Sequence, residues 1–421
     1  MKYLVNRSGF QVVVLVAIVG MYLLFSPNYD WSDEDKQSPY GADFLQEWVG
    51  AKLIVTGNAS KLYDGKTFKE WQHDSRLVGF GWDSENYFPP VYPPPHYMLF
   101  SPLAMLPYRW ATVVWLVSLV VAALISARTI AAIVESNYAR DGQADSPARI
   151  VKSQWLWLGL FLFPSLLFSI TLGQKSVYWL LVVCWTWRLL QTQRDFGAGV
   201  LFGILSIKPT LFFLLPLVML RHRRWHFFLG ATISVLVLWG TAFSFVPVES
   251  WVAYARGLKN AGRYAEIAGY RIEWSCNLMT LAYSMPGEEW VAWCKWAMCV
   301  PLSIYLLYCV FADKSYPIVS AEKALMVLAT TLAISPHTYH YDLCILMLPI
   351  LWLVATSTRQ GSAYYMMLAV GVVIAADLQE FLHIPIIPIL LVGIVCELRL
   401  RGVLPVIPVC KTIVPSSTSI A

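Results

Sequence analysis

The feature that most restricts this chain is a succession of apolar runs, each near the length needed to cross a lipid bilayer. They occupy Phe10–Phe25, Tyr108–Val134, Trp155–Thr171, Val177–Leu190, Ala198–Leu220, Phe227–Phe245, Val291–Phe311, Ala324–Ile334, Leu343–Ala355, Ala363–Ala376 and Ile384–Cys396. A full span takes roughly 20 apolar residues, fewer where neighbouring helices shield its ends. Backbone polar groups in hydrocarbon must be satisfied within the segment, so such runs form helices. Composition agrees: of 421 residues, 57% are hydrophobic and 14% charged, against roughly 25% charged in soluble domains. The expected fold class is an all-α integral membrane protein, a single polytopic domain over residues 1–421.

Charge sets the orientation. Basic residues crowd one set of short loops: Arg128 to Lys152, Arg188 with Arg194, Arg221 to Arg224, Lys314 with Lys323, Arg359, and Arg399 with Arg401. The opposite short connections hold only Lys175 and Lys208, with Arg109 and Lys295 as exceptions at span ends. This asymmetry marks the cytosolic side. The run Ala198–Leu220 is interrupted by Lys208-Pro209. Proline kinks a helix and the ammonium cannot rest in lipid, so two short helices are expected to meet at Lys208, near the outer face. Were this run a single span, every later basic cluster would face outward. About twelve crossings then put both termini in the cytosol of a cell with the protein in its plasma (inner) membrane. Lys2 and Arg7 precede the first run, and no small-residue cleavage site follows it, so it reads as an uncleaved span.

The net charge of +5 resides in those short loops and gives no reason to expect nucleic acid as a partner. Nineteen tryptophans include Trp110, Trp155, Trp225 and Trp290 near span ends, where amphipathic rings settle. Six cysteines lie in apolar runs, Cys410 lies in the tail, and Cys276 alone reaches an outer loop. No disulfide framework is implied.

Two outer loops, residues 27–107 and 247–289, are too long to be plain connectors, and loops on a rigid scaffold commonly carry function. In the first, Phe44, Trp48, Ala51 and Val55 follow helical spacing, which predicts an amphipathic helix lying along the membrane surface. A second is expected over Lys66–Val78, and Tyr92-Pro93-Pro94-Pro95-His96 is expected to be extended. The second loop carries Arg256, Lys259, Arg263 and Arg271 among tyrosines.

Threading the spans brings Asp43, Gln174, Lys208, His337, His340, Asp342 and Glu380 to the outer face. Ionisable groups at such depth are costly and usually line a substrate path. Each has a plainer reading. Asp43 suits the N-cap of the helix that follows it. Lys208 needs an anion, either a substrate phosphate or an internal carboxylate such as Glu380. His337, His340 and Asp342 either cap two helix ends or serve together, with Asp342 fixing a histidine tautomer. A zinc site is not expected, because three ligands in one tight turn are geometrically awkward and no fourth is evident.

Several of these segments carry a resemblance. Tyr40-Gly41-Ala42-Asp43-Phe44, Gly57, Leu62-Tyr63, Tyr92-Pro93-Pro94, Ser101-Pro102-Leu103-Ala104 and Leu106-Pro107 are similar to glycosyltransferase family 87. Leu172-Gly173-Gln174, Gly199 to Lys208-Pro209, Arg223-Arg224-Trp225 and Ser335-Pro336-His337 extend the match, which runs from about Tyr40 to Pro349. The chain departs from the family pattern at Ser176, where that pattern has Asn.

The resemblance implies a GT-C-like bundle of transmembrane helices with interfacial helices in its two outer loops. It implies a polyprenyl-phosphate-linked sugar donor, mannose by analogy with the family's alpha-1,2-mannosyltransferases, and a lipid or glycan acceptor. Asp43 would be the general base, since a carboxylate within hydrogen-bond reach can take the proton of an attacking hydroxyl. His337 or His340 would assist. Lys208, Gln174, Tyr92, Asp342 and the loop arginines Arg256, Arg263 and Arg271 would hold substrate, with lipid around the body. No cofactor is implied, and no phosphate-binding glycine-rich loop is present. The rival reading is a carrier that flips a lipid-linked saccharide. It accounts for broken helices and a buried lysine, but poorly for two long helical outer loops.

Overall fold

The computed structural model describes residues 41, 43–82, 87–140, 163–259, 274–283, 287–357 and 359–403. The first apolar run, Arg263 and Arg271 lie outside them. The described residues are helical throughout, with one isolated antiparallel bridge between Ser275 and Tyr339. Before the body stand α1 (Phe44–Val55), α2 (Gly65–His73), α3 (Ser75–Val78), α4 (Pro94–Leu99) and α5 (Ser101–Ala104). The body follows with α6 (Tyr108–Arg140), α7 (Pro164–Thr171), α8 (Ser176–Gln191), α9 (Asp195–Gly203), α10 (Pro209–Phe212), α11 (Leu214–Arg221) and α12 (Trp225–Phe245). After α13 (Val248–Lys259) and α14 (Met279–Tyr283) come α15 (Glu288–Cys294), α16 (Val300–Ala312), α17 (Ala321–Ile334), α18 (Met347–Thr356), α19 (Arg359–Leu382) and α20 (Ile386–Val403).

Among the described residues, three helices are long and apolar enough to cross a membrane: Tyr108–Asn137, Trp225–Phe245 and Glu289–Ala312. Shorter apolar helices cover Asp195–Ile207, Pro209–Arg221, His340–Thr356 and Gln360–Ala376. Much of α12 and α16 faces outward with large apolar side chains, among them Leu229, Leu236, Val237, Ile304 and Tyr308. That is the surface a lipid-facing helix presents.

The interrupted run breaks at Lys208, between a 3-10 turn (Ile204–Ile207) and α10. Its two ends come back together, because Arg224 pairs with the Asp195 carboxylate at 2.9 Å. The segment therefore doubles back on itself. Helices α9 and α12 touch through small residues: a Cβ on Gly199 would lie 2.0 Å from the Phe227 carbonyl oxygen, and one on Gly230 would lie 2.2 Å from that of Phe196. Small residues of this kind let membrane helices approach closely. The Trp239 indole donates to Ser206 Oγ at 3.1 Å, which sets Lys208 toward the C-terminal end of α12.

The segment before α6 departs from its expected form in three ways. Helix α1 is no surface helix: Phe44, Leu45, Trp48, Val49, Ala51 and Leu53 are buried, and so are Gln46 and Glu47. Val55, assigned to the apolar face, is exposed. The cause is the cover laid over it by α4, α5 and α6. The Tyr97 ring sits where a Cβ on Gly50 would be 2.3 Å away, and Lys52 Nζ donates to the Ala104 carbonyl at 3.0 Å. The proline run is not extended throughout either. Pro93 is extended, but Pro94 and Pro95 open α4, where a fixed φ and a missing N–H cost nothing in the first turn. The helix expected over Lys66–Val78 is two helices parted at Asp74, whose carboxylate caps α3 by accepting from the Arg76 N–H at 3.0 Å.

Helix α13 docks on the segment before α6. Ser250 Oγ donates to the Ala59 carbonyl at 2.7 Å, and Tyr254 packs on Tyr63 with ring centroids 5.6 Å apart. At the opposite end of α17, Lys323 is not a solvated loop charge but fully buried, 3.0 Å from Asp313.

Candidate active site

Polar groups from the segment before α6 and from the helix break converge on the turn between α7 and α8. Gly173 makes this turn with φ +64°, and a Cβ there would meet the Gly41 carbonyl oxygen at 2.4 Å. Trp115 Nε1 donates to the Gly173 carbonyl at 2.8 Å, and the Asp43 N–H donates to the Leu172 carbonyl at 3.2 Å. The segment leading into α1 thus lies across the turn in backbone contact. Only glycine combines this φ with so close an approach.

The next three residues each reach a different carboxylate. Gln174 Nε2 donates to Asp43 Oδ2. Lys175 Nζ donates to Glu47 Oε1. Ser176 Oγ donates to Asp342 Oδ1 at 2.5 Å. Ser176 therefore holds Asp342 from this same turn.

Asp43 stands at the N-cap position of α1 but makes no side-chain capping bond; its carboxylate turns toward Gln174 instead. The side chain is only half-buried, yet its surroundings push it up to about 7, chiefly by removal from water. Lys175 opposes that rise and Glu47 adds to it. A carboxyl group titrating near neutrality can both lose and accept a proton under working conditions.

Glu47 lies one helical turn beyond Asp43 and is buried. It also accepts from His96 Nε2. Burial alone would favour its neutral form, but the His96 ring and the Lys175 ammonium outweigh this and hold it below the usual carboxylate range. Burial pushes His96 down to about 4 against the pull of Glu47, so the ring is neutral and donates from Nε2. Tyr92 closes this side: its ring stacks on His96 at 4.1 Å and carries the Lys175 ammonium 3.8 Å from its centroid.

Lys208 lies on the other side of the turn. Its ammonium is 2.8 and 2.7 Å from the two Asp342 oxygens, and Asp342 also accepts from the Tyr339 N–H at 3.2 Å. Two expectations give way here. The carboxylate partner of Lys208 is Asp342, whereas the Glu380 side chain lies outside the described residues. Asp342 is engaged by Lys208, Ser176 and the Tyr339 N–H, which ties it to the helix break.

The histidines take separate places. His337 occupies the left-handed region at φ +60°, and burial followed by the charge of Lys208 pushes its pKa down. His340 packs edge-on to Phe168, centroids 4.5 Å apart, and against Trp274 at 4.9 Å. Cys276 also reaches this point, its N–H donating to the Thr338 carbonyl at 2.8 Å. Arg256 is exposed on α13. Among the described residues, no three His, Cys, Asp or Glu side chains group as ligands for one metal ion.

Sequence reasoning passed over Glu47, Lys175 and His96 as members of this cluster. A signal existed for the first, since Asp43 and Glu47 stand four apart and share a helix face. Lys175 was visible as one of two outer-side lysines. His96 offered no comparable pattern, because only folding of the proline run brings it under α1.

No curated protein and no solved structure matches the chain in the comparisons made. The family model of glycosyltransferase family 87 matches residues 91–336, a stretch that holds the Gln174–Ser176 turn, the Lys208 break and α17. On that match, and on its apolar helices, the chain is a membrane-embedded sugar-transferring enzyme and belongs to glycosyltransferase family 87.

Proposed function

We propose that this enzyme transfers a hexose, mannose in the first instance, from a polyprenyl-phosphate donor to a hydroxyl of a lipid or glycan acceptor. The single observation that carries the reading is the Asp43 carboxyl, turned away from its helix, held by the Gln174 amide and titrating near neutrality. Asp43 takes the proton of the acceptor hydroxyl as its oxygen attacks the anomeric carbon. The bond from that carbon to the phosphate oxygen breaks, polyprenyl phosphate departs, and the anomeric configuration inverts.

An ammonium has three donors, and Lys208 directs two at Asp342, which leaves one for a phosphate oxygen. Fixed charge at the point where negative charge develops is commonly a large part of catalysis. His337, next to this lysine, is a neutral donor or acceptor for the same phosphate. Arg256, Arg263 and Arg271 serve acceptor or donor phosphates from the second loop. The basic short loops support a site on the extracytoplasmic face of the plasma membrane, with about twelve crossings and both termini cytosolic.

The test is transfer of radiolabelled mannose from polyprenyl phosphate by the purified protein in lipid, wild type beside Asp43→Asn. Transfer that disappears in the variant supports a carboxylate base. Absence of transfer from mannose, glucose and arabinose donors with any acceptor extract would favour the saccharide carrier, which a helix broken at Lys208 also suits.

A further inference from the structure

We infer that Lys175 and Glu47 form a fixed charge pair whose task is to set the protonation of Asp43, acting as positioning residues and not as substrate ligands. This rests on the reading of Asp43 as the base, and its test below does not depend on transfer activity.

The geometry separates the two lysines of the site by role. Lys208 points at Asp342 from a helix break. Lys175 is held from two sides inside the protein: its ammonium donates to buried Glu47 and rests 3.8 Å above the Tyr92 ring. Tyr92 is in turn fixed, since its carbonyl accepts from Tyr63 Oη at 2.7 Å and its ring stacks on His96. A lysine clamped in this way has little freedom to follow a substrate. It is, however, the residue after Gln174, whose amide holds Asp43, and Glu47 lies one turn from Asp43 on α1. Both charges are therefore fixed close to Asp43 by backbone connectivity.

Opposite charge favours ionised Asp43 and like charge disfavours it. Lys175 pulls the Asp43 titration down and Glu47 pushes it up. The other titratable groups facing Asp43 are the hydroxyls of Tyr108 from α6 and Tyr341 from the turn after α17, both phenols and so uncharged at neutral pH. Neither adds charge, so Lys175 and Glu47 are the pair left to balance it. His96 stays neutral and completes the hydrogen bonding of Glu47 without contributing charge of its own.

The experiment is a pH titration of the Asp43 carboxyl by infrared difference spectroscopy of the full-length protein in lipid nanodiscs, with Asp43→Asn subtracted to assign the band. Lys175→Met is expected to move the midpoint up by about one unit or more, and Glu47→Gln to move it down. Lys175→Arg, which keeps the charge, should return the midpoint toward wild type. A double variant, Glu47→Gln with Lys175→Met, removes both charges together and keeps the test readable if a single buried charge unfolds the protein; its midpoint should fall between those of the single variants. Unchanged midpoints in the folded variants would overturn the inference, even with sugar transfer intact. A shifted titration with no transfer from any donor would leave the inference standing and count against the proposed donor.

Discussion

The Lys208 ammonium bridges both carboxylate oxygens of Asp342, at 2.8 and 2.7 Å. One partner comes from a break in a hairpin of short helices and the other from the turn that follows α17. Both side chains are buried, and the pair joins two elements that no local interaction would bring together.

Replacing Asp342 by Asn should leave a buried ammonium without its counter-charge. Breaking such a pair costs about 3–5 kcal/mol, so a clear drop in thermal midpoint in lipid or detergent is expected. Lys208→Met with Asp342→Leu, which removes both charges, should recover much of that loss while transfer stays low. A double variant as unstable as Asp342→Asn would count against the pair as the source of the effect.

Asp43→Asn should abolish transfer while donor binding persists, because the amide keeps the hydrogen-bonding shape but cannot take a proton. Binding is read by retention of labelled donor on nanodisc-embedded protein. Loss of binding along with turnover would assign Asp43 to substrate recognition instead.

The acid limb of the pH profile follows from the same group. Asp43 acts when ionised, and its surroundings place its titration at about 7. Since kcat/KM reports the free enzyme, it should fall by about tenfold per pH unit below that point and level off above it. A profile flat from pH 5 to 8 would remove Asp43 as the titrating base.

Gly173→Ala should slow transfer more than its chemistry suggests. The positive φ alone costs about 1–2 kcal/mol for a residue with a Cβ. The added methyl would also press on the Gly41 carbonyl, 2.4 Å from the Cβ position, two residues from Asp43. A fall in kcat with a modest change in thermal midpoint is the expected result.

Gly199→Val should destabilise the body without touching the site. Its Cβ would lie 2.0 Å from the Phe227 carbonyl oxygen, and overpacking of this kind costs about 1–3 kcal/mol. Thermal unfolding in detergent checks it. The residual folded fraction should keep the wild-type KM.

Much was legible in the chain because membrane folding is governed by one strong local rule. Apolar runs must become helices, and basic residues stay on the side from which they cannot cross. Lys208-Pro209 could be read as a break because neither a charge nor a missing N–H is tolerated inside an apolar helix. The family motif around Gln174 pointed to its turn for similar reasons. Periodicity misjudged α1, because a spacing of apolar residues says which face is buried but not whether the other face will be covered. The proline run failed likewise: prolines are as acceptable in the first turn of a helix as in an extended segment.

What the sequence alone determined was an all-helical membrane body and the break at Lys208, since each depends on neighbours within a few residues. Tertiary structure decided the pairings: Gln174 with Asp43, Lys175 with Glu47, Ser176 and Lys208 with Asp342. These partners are far apart in sequence, and which cation meets which carboxylate depends on how α1, the α7–α8 turn and the Lys208 break pack. A buried charge must find an opposite charge, but only the packing of the helices says which one lies within reach.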